Sequence, residues 1–251
     1  MDQAATLRMM TDNIRGKTKD NGNGWDGVKV IAVTSGKGGV GKTNVVANLA
    51  MALVNIGKRV LIFDADLGLG NIDVLLGLAP MYNLSHVLKD GKRFQDILIT
   101  GPSGIMILPA GSGVDSLCNL SPEQQMNLFY EVEQLGSLID VMLIDTAAGI
   151  NSNVLFFNMA AQEILVIATP EPTSITDAYA LIKVLYTKHG VKHFRLLVNS
   201  VESSEEGLRI YKKLSLVTDK FLKISIDYSG HILTDLNIPK SVCQQRLFLE
   251  I

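Results

Sequence analysis

A chain of 251 residues, 47% hydrophobic and 19% charged, has ordinary globular composition and suits one large domain better than two small ones. Its formal net charge of −2 excludes an overall basic field that would gather nucleic acid or anionic lipid. The two cysteines, Cys118 and Cys243, are far apart with no C-x-x-C, which sets aside disulfide frameworks and fits free thiols in a reducing cytoplasm.

The N-terminus is polar and no apolar run reaches the roughly 18 residues of a spanning helix, so a soluble cytoplasmic protein is expected, at most peripheral to a membrane. Residues 2–15 (DQAATLRMMTDNIR) place Leu7, Met10 and Ile14 at i, i+3 and i+7, with Ala4 one turn earlier. That is the pattern of a short amphipathic helix. Residues 16–27 hold four glycines and no apolar periodicity, and read as a flexible linker ahead of a globular domain over 28–251. A helix this short is marginal alone in water, so it either docks on the domain or waits for a partner.

Residues 28–34 (VKVIAVT) form an apolar β-type run, and a helical pattern opens at Asn44. Between them lies Ser35-Gly36-Lys37-Gly38-Gly39-Val40-Gly41-Lys42-Thr43, the G-x-x-x-x-G-K-[ST] spacing in the strand–loop–helix context a phosphate-binding loop requires. The glycines let successive backbone N–H groups converge on an anion, and the following helix adds its positive N-terminal end. Lys42 supplies a full charge to the β/γ-phosphates, and the Thr43 hydroxyl is placed to ligate Mg²⁺.

After the loop, Val45, Leu49, Ala52, Leu53 and Ile56 are expected to form the buried face of the first long helix, with Gly57 ending it. Residues 60–63 (VLIF) read as a parallel strand covered on both faces, ending at Asp64-Ala65-Asp66. Carboxylates at the C-terminal end of such a strand sit where ligands bind in open α/β sheets. Residues 97–99 and 105–108 bracket a Gly-Pro-Ser-Gly turn and suggest paired strands. Ser121 with Pro122 marks the start of a helix running to about residue 138. Residues 141–144 (VMLI) end in Asp145, the Walker B pattern whose carboxylate holds Mg²⁺ directly or through water. The rest alternates: a strand at 164–168, a helix at 173–186, a strand at 196–198 ending at Asn199, and a helix at 204–216. A strand near 221–226 and a helical piece near 229–236 are expected to close the chain. Such alternation indicates an α/β fold with a mostly parallel, doubly wound sheet.

The loop's second lysine, Lys37, makes it resemble the deviant Walker A motif (KGGxGK[ST]) of the MinD/ParA group of P-loop ATPases. Three further stretches are similar to that group: Asp64-x-Asp66-x-Gly68-Leu69-Gly70-Asn71-x-Asp73 to its switch I, Asp145-Thr146-Ala147-Ala148-Gly149 to its switch II, and residues 196–201 (LLVNSV) to its adenine-reading strand. Asp2-Gln3-Ala4-Ala5-Thr6-Leu7-Arg8 resembles the DQAxxLR heptad of the flagellar-number regulators (FlhG, also called FleN or YlxH) within it.

The resemblance implies a Mg²⁺-dependent ATPase that is completed by homodimerisation. Gly38, Gly39, Val40, Gly41, Lys42, Thr43 and Asn44 would hold the nucleotide, and Asn199 and Asp227 would flank the base. Thr43, Asp64 and Asp145 would serve Mg²⁺. Asp66 would orient the attacking water, while Asp73 reads as a solvated loop carboxylate. Lys37 would reach the partner's nucleotide in trans. Asp2, Gln3, Ala4, Leu7 and Arg8 would dock on FlhF, a signal-recognition-particle-type GTPase. Components of the flagellar switch or a flagellar transcription regulator are further partners the family implies. Members of this subfamily usually carry a C-terminal amphipathic helix that binds the membrane. The sequence closes at Phe248-Leu249-Glu250-Ile251, so either it is truncated or the protein lacks that anchor. Peripheral association at the inner face of the cell membrane is expected only of a full-length form, while no specific nucleic acid is expected. The other reading within the group is an ATPase of chromosome partition or division-site placement.

Overall fold

The computed structural model describes residues 27–111 and 120–250; the N-terminal heptad, most of the linker and Cys118 lie outside the described residues. Within them the chain alternates strand and helix. β1 (Lys29–Ser35), α1 (Lys42–Asn55) and β2 (Val60–Ala65) come first. Short helices α2 (Ile72–Leu75), α3 (Leu84–Asp90) and α4 (Phe94–Ile97) lead to β3 (Ile99–Thr100) and β4 (Met106–Leu108). Then follow α5 (Pro122–Glu133), β5 (Val141–Ala148), α6 (Ser152–Ala160), β6 (Glu163–Ala168), α7 (Pro172–His189), β7 (Arg195–Val201), α8 (Ser204–Leu222), β8 (Asp227–Leu233) and α9 (Asn237–Cys243).

The strands form one sheet in the order β3-β4-β2-β5-β1-β6-β7-β8, parallel except for the β3–β4 pair. This is the doubly wound architecture expected of the alternation. β2 is buried at every position, which explains why it reads as a continuous apolar run rather than an alternating one. Helices α6, α7 and α8 cover one face, while α1 covers β2, β5 and β1 on the other. α5 begins as expected: the Ser121 hydroxyl accepts from the Gln124 amide and the Gln124 side chain accepts from the Ser121 amide, with Pro122 at the first position.

Four local expectations are corrected. α1 starts two residues earlier and buries Val45, Val46, Ala47, Ala50 and Met51, whereas Ala52 and Ile56 are exposed. The buried stripe is centred on Val46, Ala47 and Ala50, with Leu49, Leu53 and Val54 partly buried at its edges, so Ala52 and Ile56 fall on the solvent side. β5 does not stop at Asp145 but runs on to Ala148, so Asp145 sits inside the strand. α8 continues to Leu222, because Leu214, Thr218 and Leu222 extend its buried row at i+4, and Lys223 ends it in a left-handed turn. The alternating Leu222, Ile224 and Ile226 imitate a strand but close the helix and plug the core. The last strand is therefore Asp227–Leu233 and the last helix Asn237–Cys243, each some six to eight residues later than expected.

Candidate functional site

The loop from Ser35 to Lys42 emerges at the C-terminal end of β1, in the middle of the sheet, and turns directly into α1. Gly41 takes φ 83° at the helix start and no side chain caps the first turn, so the amides of that turn face the pocket. A Cβ at Gly41 would stand 2.5 Å from Asn199 Nδ2, and one at Gly36 would stand 2.1 Å from the Asp177 carbonyl oxygen. Both positions require glycine: the first for its left-handed backbone as well as for space, the second for the close approach of the loop to α7.

Lys37 through Asn44 line a pocket of about 700 Å³, joined by Asp66, Asn71, Ala148 and, from the C-terminal segment, Cys243 and Gln245. Lys42 is buried, and its Nζ lies 2.7 Å from Asp145 Oδ1. Asp64 is the Cα partner of Asp145 across β2 and β5, and it too is buried. Asp64 is thus a second buried carboxylate beside the Lys42–Asp145 pair. Burial, and secondarily the Asp145 charge, push the Asp64 carboxyl up to about 8, against backbone N–H donation from Asp66 at 3.1 Å and Ile72 at 3.4 Å. Thr43 lines the same pocket, and Asp66, half-buried, accepts from the Leu69 amide. Asp73 accepts from the next amide, Val74, and does not line the pocket.

The donor set fits a Mg²⁺–polyphosphate. Converging amides and the Lys42 ammonium would face the anion, and the Thr43 hydroxyl with the buried Asp145 and Asp64 would serve the metal. Among the described residues no group of three or more His, Cys, Asp or Glu gathers to hold a metal ion. Thr43, Asp145 and Asp64 would therefore share Mg²⁺ with phosphate oxygens and water, the usual shell of this ion. The loop is mechanically tied to the strand that carries Asp145. The Gly149 amide donates to the Ser35 carbonyl at 2.9 Å, and the Thr146 and Thr34 hydroxyls meet at 3.0 Å.

A second, larger cavity of about 1030 Å³ opens on the other side of Gly39–Gly41. Asn199 stands at its head and donates from Nδ2 to the Val40 carbonyl at 2.8 Å; Ser200, Thr234, Asp235, Ile238 and Pro239 surround it. The cavity has room for a nucleotide base. Asp227 is not brought there. It is exposed and is the register partner of Arg195 at the start of β7, the opposite end of the parallel strands from the loop. Asp235, just after β8, lines the cavity instead, and sequence reasoning missed it because the apolar pattern places β8 six residues too early. Pro239, which fits the first turn of a helix, was the signal available.

Lys37 does not turn into its own pocket alone. Its ammonium donates to the Glu171 carboxylate and to Thr173 Oγ1 at 3.1 Å, at the start of α7. Large apolar side chains stand exposed nearby: Leu69 and Ile150 on loops, and Val74 on the short helix α2. Neither Glu171 nor this exposed set was visible in sequence.

Residues 31–248 match the family model described as the CobQ/CobB/MinD/ParA nucleotide binding domain. The chain is 49% identical over 223 residues to the antiactivator FleN of Pseudomonas aeruginosa, covering 89% of this chain and 80% of that protein. It is 35% identical to the flagellum site-determining protein YlxH of Helicobacter pylori, covering 89% of this chain and 76% of that protein. Among solved structures it resembles the MinD cell division protein of Aquifex aeolicus with a TM-score of 0.72 and 27% identity, over 88% of this chain and 89% of that one. The septum site-determining protein MinD of Pyrococcus horikoshii, solved with Mg-ADP, shares the fold with a TM-score of 0.73 at 24% identity, over 89% and 88% of the two chains.

Proposed function

The chain belongs to the CobQ/CobB/MinD/ParA nucleotide-binding family and is an ATPase of the MinD/ParA type, and from that premise we propose that it is a dimerising regulatory switch controlling the number or placement of flagella. The observation that carries the flagellar reading is the likeness to FleN and YlxH over 89% of the chain in each case. The DQAxxLR heptad in front of the domain supports the same reading, with FlhF as the addressed GTPase.

The site supports a switch for physical reasons. Phosphoryl transfer needs positioning and charge neutralisation rather than covalent chemistry. The loop amides and Lys42 would hold the polyphosphate, and Thr43, Asp145 and Asp64 would hold Mg²⁺, whose role when bound is to neutralise phosphate charge. Asp66 lines the phosphate pocket on the segment after β2 and is the group to orient water there. Lys37 is left at the rim, beside exposed Leu69, Val74 and Ile150. A second subunit would cover those side chains and exchange lysines, so that hydrolysis depends on the dimer.

The test of the partner is a peptide of residues 1–20 added to FlhF: GTP hydrolysis should accelerate saturably, and no change at saturating peptide removes the assignment. The likeness to MinD keeps division-site placement as the second reading. Cells lacking the gene separate the two, since altered flagellar number with normal septa supports the first and misplaced septa the second.

A further inference from the structure

Asp66 and Asn71 reach the phosphate pocket from the segment between β2 and α2. That segment leads into a helix of four residues, too short to be stable by itself, and the Asn71 side chain does not cap it. The start of α2 is held from the sheet: the Ile72 amide donates to Asp64 Oδ2 at 3.4 Å, and the Ile72 side chain is fully buried. Its end is held from a distant part of the chain. Gln245 Nε2 donates to the Val74 carbonyl at 2.7 Å, where the Gly77 amide also donates at 3.2 Å. Carbonyls at a helix end have no partner within the helix. A carbonyl only accepts, so it is the NH₂ end of the Gln245 amide that faces α2.

The residues around Gln245 are fixed so as to put it there. Leu247 is 1% exposed and lies in the same core cluster as Ile72 and Leu76. The Leu249 amide donates to Asn48 Oδ1 on α1 at 3.1 Å. Between these anchors and α9, Gln245 takes a left-handed backbone, φ 54°, which residues other than glycine rarely adopt. Its side chain packs on Gly77, where a Cβ would stand 3.3 Å from the Gln245 Cβ. Sparsely populated conformations persist where the surroundings over-determine them, and they cluster at working sites. Gln245 lines the phosphate pocket together with Asp66 and Asn71.

We propose that Gln245 is a positioning residue for hydrolysis: by capping α2 it fixes residues 66–71 against the phosphate pocket. Asp64 and Gln245 tie down the two ends of α2, and the approach that carries Asp66 and Asn71 is held between β2 and that helix. The inference rests on the ATPase reading of this site and adds to it a residue that acts through α2, without contact to the reacting atoms.

Steady-state ATP hydrolysis and amide hydrogen exchange of the whole chain, in the wild type and two variants, test this. Gln245→Met keeps the length of the side chain and removes the donor. Gln245→Gly removes the donor too but suits the left-handed backbone, so it favours the fold. In both, kcat should fall about three- to tenfold, the range of one net hydrogen bond. KM should stay within about twofold of the wild type, because the loop amides and Lys42 that bind the nucleotide are untouched. Without nucleotide, the amides of residues 75–78 should exchange faster by a similar factor. Unchanged kcat in both variants overturns the proposal. So does a raised KM at unchanged kcat, which makes Gln245 a nucleotide contact, or wild-type exchange at 75–78, which leaves α2 independent of it. A loss confined to Gln245→Met overturns it as well, since that traces to backbone strain and not to the donor. A wild type without turnover would sink the ATPase reading itself, whereas any of these results beside an active wild type sinks only the role of Gln245.

Discussion

Replacing Asp64 by asparagine tests the electrostatics of the site directly. Asp64 and Asp145 are register partners inside the sheet with the single Lys42 ammonium between the strands and the loop, 2.7 Å from Asp145. The nucleotide-free site is neutral only if Asp64 carries a proton, and its carboxyl is accordingly pushed from 3.8 to about 8 by burial and by the Asp145 charge. Between those two values the folded chain binds one proton more than the unfolded chain. The contribution of Asp64 to stability is therefore complete below about pH 4 and is lost as the pH rises through about 8. The loss amounts to about 1.4 kcal/mol for each pH unit inside that window. The Asp64→Asn side chain would keep the shape and one acceptor for the amides of Asp66 and Ile72 but has no proton to lose. Urea unfolding with chelator and no nucleotide, at pH 5, 6 and 7, should show the variant gaining on the wild type by about 1.4 kcal/mol per unit, roughly 3 kcal/mol over the range. All other titrating groups are common to the two proteins and cancel. Parallel stability curves would refute the reasoning. With Mg²⁺ and nucleotide the sense reverses: the stabilisation they add to the wild type should grow with pH, as the carboxylate becomes available.

Three further substitutions probe the rest of the site. Lys42→Met leaves Asp145 buried without its cation; it should abolish nucleotide binding and cost about 3–5 kcal/mol at pH 8, read by equilibrium dialysis and urea unfolding. Lys37→Ala should bind nucleotide normally, because Lys37 sits at the rim on Glu171 and Thr173, yet lose dimer-dependent hydrolysis by about 10³-fold; wild-type turnover would remove the trans role. Asp66→Ala should bind ATP and accumulate as a dimer that does not turn over, so a monomer by light scattering with ATP present counts against Asp66 as the water-orienting group.

Much of this was readable in one dimension because the chemistry is local. A phosphate loop is nine consecutive residues between a strand and a helix, and its glycines, Lys42 and Thr43 fall where the backbone of that turn must put them. Asp64 and Asp145 were readable because each ends an apolar run of a buried strand, and parallel neighbours bring such ends together. Asp227 failed for the complementary reason. Placing it required the end of α8, and Leu222, Ile224 and Ile226 alternate like a strand while serving as a helix end and a core plug. Periodicity alone could not choose between them. The error displaced β8 and α9 and hid Asp235, which only the folded chain carries to the cavity.

Short-range spacing and strand ends are thus enough to establish a parallel α/β nucleotide-binding domain, the position of its phosphate loop and the carboxylates that attend it. What depends on contacts across the chain emerges only once the layers are packed. Lys42 is paired with Asp145 and not with a solvated partner; Asp64 is buried beside them and titrates far from its ordinary range; Lys37 is held out at Glu171. The cavity beside Asn199 is walled by segments far apart in the chain, Gly39–Gly41, Asn199 and Asp235 among them, a fact about packing of layers that no local pattern encodes.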